Sequence, residues 1–215
     1  MMATSMRGFM GLTCQQLTCR RGRSTLFAGV SFSLQAGEAL WVQGRNGSGK
    51  TTLLRSLCGL ALPDRGAVHW EGKPILATRA HYHTQLLHIG HADGLKPDLL
   101  AWENLALGGL PGERSTREAA LRALDEIGLK TEAQRPVRLL SQGQRKRVAL
   151  ARLLLSPGRP LWILDEPLAA LDQASAAQVG EIMAAHCSRG GMLVLTTHQD
   201  PVMPGARQLQ LGAPC

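Results

Sequence analysis

A single stretch, Gly44-Arg45-Asn46-Gly47-Ser48-Gly49-Lys50-Thr51-Thr52, constrains this chain more than any other part of its sequence. It follows an apolar run, Ala39-Leu40-Trp41-Val42, and leads into Thr52-Leu53-Leu54-Arg55-Ser56-Leu57, so that strand, glycine-rich turn and helix succeed one another directly. That order belongs to an α/β fold. The glycines let backbone come close to phosphate, and successive N–H groups at the positive end of the helix dipole face a β-phosphate. Lys50 reaches the β/γ oxygens, and the Thr51 hydroxyl can hold Mg2+. A chance glycine turn is the bland alternative, and Gly-Lys-Thr at this spacing between strand and helix argues against it.

A second motif, Leu161-Trp162-Ile163-Leu164-Asp165-Glu166, is an apolar strand ending in adjacent carboxylates. Side chains alternate along a strand, so one acid can face a metal while the next faces an attacking water. Asp165 is assigned to the Mg2+ shell and Glu166 to water activation; capping of the following helix is the structural alternative. Between the two motifs, Leu140-Ser141-Gln142-Gly143-Gln144 runs into Arg145-Lys146-Arg147-Val148-Ala149-Leu150, where Ser141 can cap a helix whose amino end becomes an anion site.

With these residues the chain resembles the ATP-binding cassette family, whose signature reads Leu-Ser-Gly-Gly-Gln; Gln142 stands at the first glycine. Ala170-Leu171-Asp172 resembles the family's D-loop, and Thr196-Thr197-His198 its switch histidine. The resemblance implies a phosphate-loop nucleoside triphosphatase with a mixed β core, an antiparallel β subdomain and a helical signature subdomain. It implies one cassette over residues 1–215, with the helical insertion near 98–158. Lys50, Glu166 and His198 would then serve catalysis, with ATP and Mg2+ as cofactors. The family also implies a head-to-tail dimer, in which Ser141, Gly143 and Gln144 contact a nucleotide held by the loop of a second copy.

Composition is consistent with this. A chain of 215 residues, 44% hydrophobic, can bury one substantial core. No apolar run approaches the roughly 20 residues that cross a bilayer, so the chain is not expected to form a channel itself. The start, Met1-Met2-Ala3-Thr4-Ser5-Met6-Arg7-Gly8, lacks the apolar core of a secretion signal, and a cytoplasmic location is expected. Cys14, Cys19, Cys58, Cys187 and Cys215 form no Cys-x-x-Cys pair and read as reduced thiols. A formal net charge of +8 suits an anionic nucleotide and the anionic inner face of a membrane. No nucleic acid partner is expected, because the basic residues are dispersed apart from Arg145-Lys146-Arg147 and aromatics are only 4%.

Residues 12 to 40 read as short strands with turns at Arg21-Gly22-Arg23 and Gln35-Ala36-Gly37-Glu38, and residues 85 to 90 as a buried strand. Residues 102 to 107 look helical. Ser115-x-x-Glu118 reads as a capping box opening a helix whose Ala120, Leu124 and Ile127 share a face until Gly128 ends it. Strands at 161–165 and 192–196, with a helix after Asp172, complete the α/β pattern.

Two departures from the general cassette pattern are informative. Arg21 stands where the family places an adenine-stacking aromatic; a guanidinium can lie over a purine face, and a solvated basic turn is the equal alternative. His91 stands where the Q-loop glutamine belongs. Either imidazole replaces the amide, as an acceptor only when deprotonated, or His91 is a neutral loop residue facing a partner. The local text, Leu86-Leu87-His88-Ile89-Gly90-His91-Ala92-Asp93-Gly94-Leu95-Lys96, resembles the ATP-binding subunits of bacterial cytochrome c maturation. That resemblance implies a peripheral ATPase on the cytoplasmic face of the inner membrane, bound to integral membrane subunits and powering heme export or release of a heme-loaded chaperone. His81, His83, His88 and His91 crowd one segment, yet heme is not expected to bind this chain directly, since such an ATPase moves partners rather than touching cargo. Another small exporter ATPase is the alternative within transport; a soluble cassette ATPase acting on nucleic acid or ribosomes is the alternative outside it. Arg21→Ala should weaken ATP affinity, measured as a nucleotide dissociation constant; an unchanged constant would favour the solvated turn.

Overall fold

The structure, a computed structural model, describes residues 11–107, 115–197 and 205–212. β1 (Gly11–Arg21) and β2 (Ser24–Gln35) form an antiparallel pair, after which β3 (Ala39–Gln43) enters a second sheet and α1 (Lys50–Leu57) follows it. β4 (Arg65–Trp70) and β5 (Lys73–Pro74) return to the first sheet, whose order is β2-β1-β4-β5. α2 (Arg79–Gln85) precedes β6 (Leu86–Ile89), and α3 (Ala101–Leu107), α4 (Arg117–Glu126) and α5 (Gln142–Leu150) come next. β7 (Leu161–Asp165), α6 (Gln173–Ser188), β8 (Met192–Thr196) and β9 (Arg207–Gln210) complete the described chain.

The second sheet runs β6-β7-β8-β3-β9, and every described pairing in it is parallel. The mixed core implied by the family narrows here to a parallel one. Its strands show why: β7 and β8 are buried at all positions, as unbroken apolar runs are when helices or sheets cover both faces. Alternation divides their side chains between two clusters. Leu40, Val42, Leu161, Ile163 and Val194 join Leu53, Leu54 and Leu57 of α1 and Leu12, Leu17 and Leu34 of the antiparallel sheet. Trp41, Trp162, Leu164, Leu193 and Leu195 join Val179 and Met183 of α6 and Leu105, Leu124 and Val148 of the helices between β6 and β7. Each such buried side chain contributes about 1.5–3 kcal/mol of transfer free energy.

The strand expected over 85–90 is β6, and the expected face of α4 is buried, with Ala120 and Leu124 at 0% exposure and Ile127 at 1%. Its cap differs. Thr116, not Ser115, is the N-cap residue, with an extended backbone and its hydroxyl accepting from Ala119 N–H at 3.1 Å. Two neighbouring hydroxyl residues compete for one cap, and helix phase selects the one whose oxygen meets the third N–H. Glu118 still contributes: its own backbone N–H and the Thr116 hydroxyl hold its carboxyl below the usual range. Gly128, at φ 74°, follows the helix as expected.

Cys14, Cys19, Cys58 and Cys187 are buried free thiols, and Cys215 lies outside the described residues. Burial pushes Cys14 up to about 12 and Cys187 up to about 11, so neither offers a reactive thiolate near neutrality. No described helix is long and apolar enough to cross a membrane.

Behind the parallel sheet, the His186 ring stacks on Trp162 with centroids 3.8 Å apart and planes 4° from parallel. His186 Nε2 lies 3.3 Å from the Met192 carbonyl. A Cβ on Gly191 would overlap the His186 ring. Gly191→Ala should therefore cost about 2 kcal/mol by overpacking and lower the melting temperature by about 5 °C. Thermal unfolding of the two proteins measures it.

Candidate functional site

Parallel register carries three strand ends to one edge of the sheet. Val42 of β3 pairs with Thr196 of β8, and Thr196 pairs with Asp165 of β7, so the segments leaving all three strands emerge together. The segment after β3 is the glycine-rich loop. Gly44, Gly47 and Gly49 take φ of 154°, 82° and 93°, which lie in or beyond the left-handed region that side chains avoid. Space is a second constraint at two of them: a Cβ on Gly44 would stand 2.5 Å from Ser48 Oγ, and one on Gly49 would stand 2.9 Å from Phe27 Cδ1. Gly47 alone of the three opens to free space. Arg45, Asn46 and Gly47 are exposed, while Ser48, Gly49, Lys50 and Thr52 are half-buried.

α1 starts at Gly49 without a side-chain cap, which leaves its first N–H groups for an anion. Lys50 Nζ donates to the Gly44 carbonyl at 2.8 Å, bridging the two ends of the loop. Thr51 Oγ1 donates to Asp165 Oδ2 at 2.8 Å. This hydroxyl and carboxylate are hard oxygen donors, the chemistry that holds Mg2+ beside a phosphate, and an exposed Thr51 places them at the loop's open side.

The sequence motifs give roles to Asp165, Glu166 and His198 but none to Thr196, which stands in the same stretch as His198. Its hydroxyl, at 0% exposure, donates to Asp165 Oδ1 at 2.6 Å and accepts from Glu166 N–H at 3.0 Å. Glu166 has φ 51°, a conformation unfavourable for a side-chain-bearing residue, and its N–H is fixed by Thr196 through both the hydroxyl and the carbonyl, at 3.2 Å. The detectable signal was a hydroxyl residue ending a strand at the depth of Asp165; recognising it required knowing that β7 and β8 are neighbours. His198 lies outside the described residues. One residue before it, the Thr197 carbonyl accepts from Trp41 Nε1 at 3.3 Å.

Lys50, Thr51, Asp165 and Glu166 thus come together, and other expected residues stand apart. Ser141 caps α5 in a complete capping box: its hydroxyl accepts from Gln144 N–H at 3.2 Å and its N–H donates to Gln144 Oε1 at 2.9 Å. Gln144 Nε2 donates to Glu132 at 3.1 Å, so both ends of that side chain act within the chain. A Cβ on Gly143 would stand 3.0 Å from the Ala170 carbonyl. Asp172 caps α6 by accepting from Ser175 N–H at 2.7 Å, which holds its carboxyl below the usual range. Arg21 ends β1 with its side chain exposed, and His91 is exposed in the segment after β6. His83 Nε2 and His88 Nδ1 each lie 3.0 Å from a backbone carbonyl, that of Cys58 and that of Ile163.

The chain is similar to known proteins in sequence and in fold. The family profile for ABC transporter covers residues 27–169, from β2 to just beyond Glu166. The chain belongs to the ABC transporter family. As an ABC ATPase it binds and hydrolyses ATP. It is similar to the cytochrome c biogenesis ATP-binding export protein CcmA of Pseudomonas aeruginosa, with 49% identity over 90% of this chain and 95% of that one. The protein of the same name from Dechloromonas aromatica is 45% identical over 94% of this chain and 100% of its own. A solved dimeric ATP-binding cassette in a post-hydrolysis state, bound to ADP and Pi, matches with a TM-score of 0.76 at 25% identity, covering 89% of each chain.

For this ABC ATPase the role of Thr196 is testable. Thr196→Val keeps shape but removes the hydroxyl that joins Asp165 to the Glu166 backbone. Hydrogen bonds to charged groups are worth about 1.5–3 kcal/mol, so kcat for ATP should fall by about 10- to 100-fold. Steady-state phosphate release checks this, with nucleotide affinity expected to stay within about threefold because Lys50 and the loop are untouched.

Proposed function

We propose that this cassette is the ATPase subunit of a membrane complex for cytochrome c biogenesis, peripheral on the cytoplasmic face of the bacterial inner membrane. The relatives' shared name and their coverage of nearly the whole chain support that role. The observation that carries the catalytic reading is the bonded set Thr51, Asp165, Thr196 and Glu166 beside the glycine loop. Integral membrane subunits are its partners, and its turnover drives heme export or frees a heme-loaded chaperone from them.

ATP enters with its phosphates against the loop from Gly44 to Thr52, where backbone N–H groups and the start of α1 receive them. Lys50 exchanges the Gly44 carbonyl for β/γ oxygens. Thr51 and Asp165 are the residues that would hold Mg2+, which would supply positive charge beside the phosphates. Glu166 accepts a proton from water as its oxygen attacks the γ-phosphorus; the bond to the bridging oxygen breaks, and ADP leaves with phosphate. His198 assists at the γ-phosphate. Arg21 lies over the adenine, and His91 takes the place of the Q-loop glutamine.

A second copy closes the site. Ser141 and Gly143, at the amino end of α5, meet the nucleotide held by the other protomer's loop, and a two-fold axis makes two such sites. Gln144, whose side chain also closes the cap of α5, stands beside them at that end. The helical subdomain is the insertion near 98–158, whose described helices are α3 to α5.

The complex purified with its membrane subunits tests this reading. Wild type should release phosphate, Lys50→Ala should abolish release, and Glu166→Gln should retain ATP in a stable dimer with turnover lowered at least about 100-fold. Equal release by wild type and Lys50→Ala would overturn the site assignment; failure to co-purify with membrane subunits would overturn the setting.

A further inference from the structure

Lys146 lies on α5, two residues beyond Gln144, with a side chain only 6% exposed. Lysine is rarely buried without a partner. Here Nζ stands 3.8 Å from Asp93 Oδ1, whose side chain is 27% exposed. Burial pushes the Lys146 ammonium below the usual lysine range, while the carboxylates of Asp93, Asp165 and Glu166 pull it back up. The ammonium therefore sits within the field of both acids at the end of β7, although no step of the hydrolysis described above employs it.

The same stretch grips the segment after β6 a second time. Arg152, in the turn that continues α5, donates from Nη1 to the Asp93 carbonyl at 3.2 Å and from Nη2 to the Gly94 carbonyl at 3.1 Å. Residues 93 and 94, just beyond His91, are thus held through one side chain and two backbone oxygens by cations of one helical stretch. At its amino end α5 abuts the segment after Glu166, where Gly143 approaches the Ala170 carbonyl. Ala170 has φ 63°, an unfavourable backbone for alanine, so this segment has little freedom to relax if α5 shifts. α5 consequently touches the segments that follow both β6 and β7.

We propose that Lys146 is a positioning residue for ATP hydrolysis: paired with Asp93, it ties the segment bearing His91 to the signature helix and so sets where Glu166 stands. The proposal rests on Glu166 as the residue that receives the proton of water. Its charge, not its bulk, is what matters. Lys146→Met fills nearly the same volume without a buried charge, a replacement that commonly leaves folding stability unchanged or higher, and Asp93 is open enough to water to remain solvated.

The test uses the full chain assembled with its membrane subunits. Lys146→Met should lower kcat about tenfold while KM for ATP stays within about threefold, the pattern of a lost transition-state interaction. Lys146→Arg should recover most of the rate. Asp93→Asn should lower kcat similarly, and the double variant Lys146→Met/Asp93→Asn should be no slower than either single variant, since the pair acts as one unit. A Lys146→Met kcat within twofold of wild type, or single effects that multiply in the double variant, would overturn the proposal. Glu166→Gln separates the two levels: if it keeps wild-type turnover, the water-activating assignment and this proposal fall together. If it is inactive while Lys146→Met matches wild type, only the role of Lys146 falls.

Discussion

Asp165 is almost wholly buried, and a carboxylate in that position is tolerable only when hydroxyl or N–H groups surround it. Thr51 supplies one hydroxyl from the start of α1, and Thr196 supplies the other from the end of β8. The same Thr196 oxygen receives the Glu166 N–H and keeps that residue in its left-handed conformation. The glycine loop, the acidic strand and the strand preceding His198 are therefore joined through a single carboxylate and its two hydroxyl donors. Displacing any one of the three would leave a buried acid short of a donor, which costs more than the bond itself contributes.

This junction depends in turn on the sheet beneath it. β7 and β8 have no polar face, so they are stable only between two apolar layers, and both layers are present. Register then follows from packing: a slip of one residue would exchange the side chains facing α1 for those facing α6. Trp162, stacked on a His186 ring that in turn abuts Gly191, makes such a slip costly on one face. Apolar complementarity far from the nucleotide edge thereby places Thr196 level with Asp165.

The glycine loop, the acidic strand end, the buried face of α4 and the signature stretch were all legible because each is a local pattern of a few residues. Gln144 shows what such reading leaves out: the motif marks the residue, while only the fold shows its side chain closing a capping box with Ser141 and bonding Glu132. Helix phase likewise moved the α4 cap from Ser115 to Thr116. Lys146 sat unnoticed in a basic run, since nothing in Arg145-Lys146-Arg147 reveals that the middle residue is buried and its neighbours less so.

By itself the sequence determined the α/β character, the phosphate loop and the identity of the acids, because backbone conformation at glycines and the alternation of strand side chains are set by near neighbours. Only the tertiary structure decided that Thr196 bridges Asp165 and Glu166, that the core sheet is parallel throughout its described pairings, and that Lys146 faces Asp93. These are meetings between residues separated by tens of positions. They are chosen by which apolar surfaces can be buried together, a property of the assembled layers that no short window of chain contains.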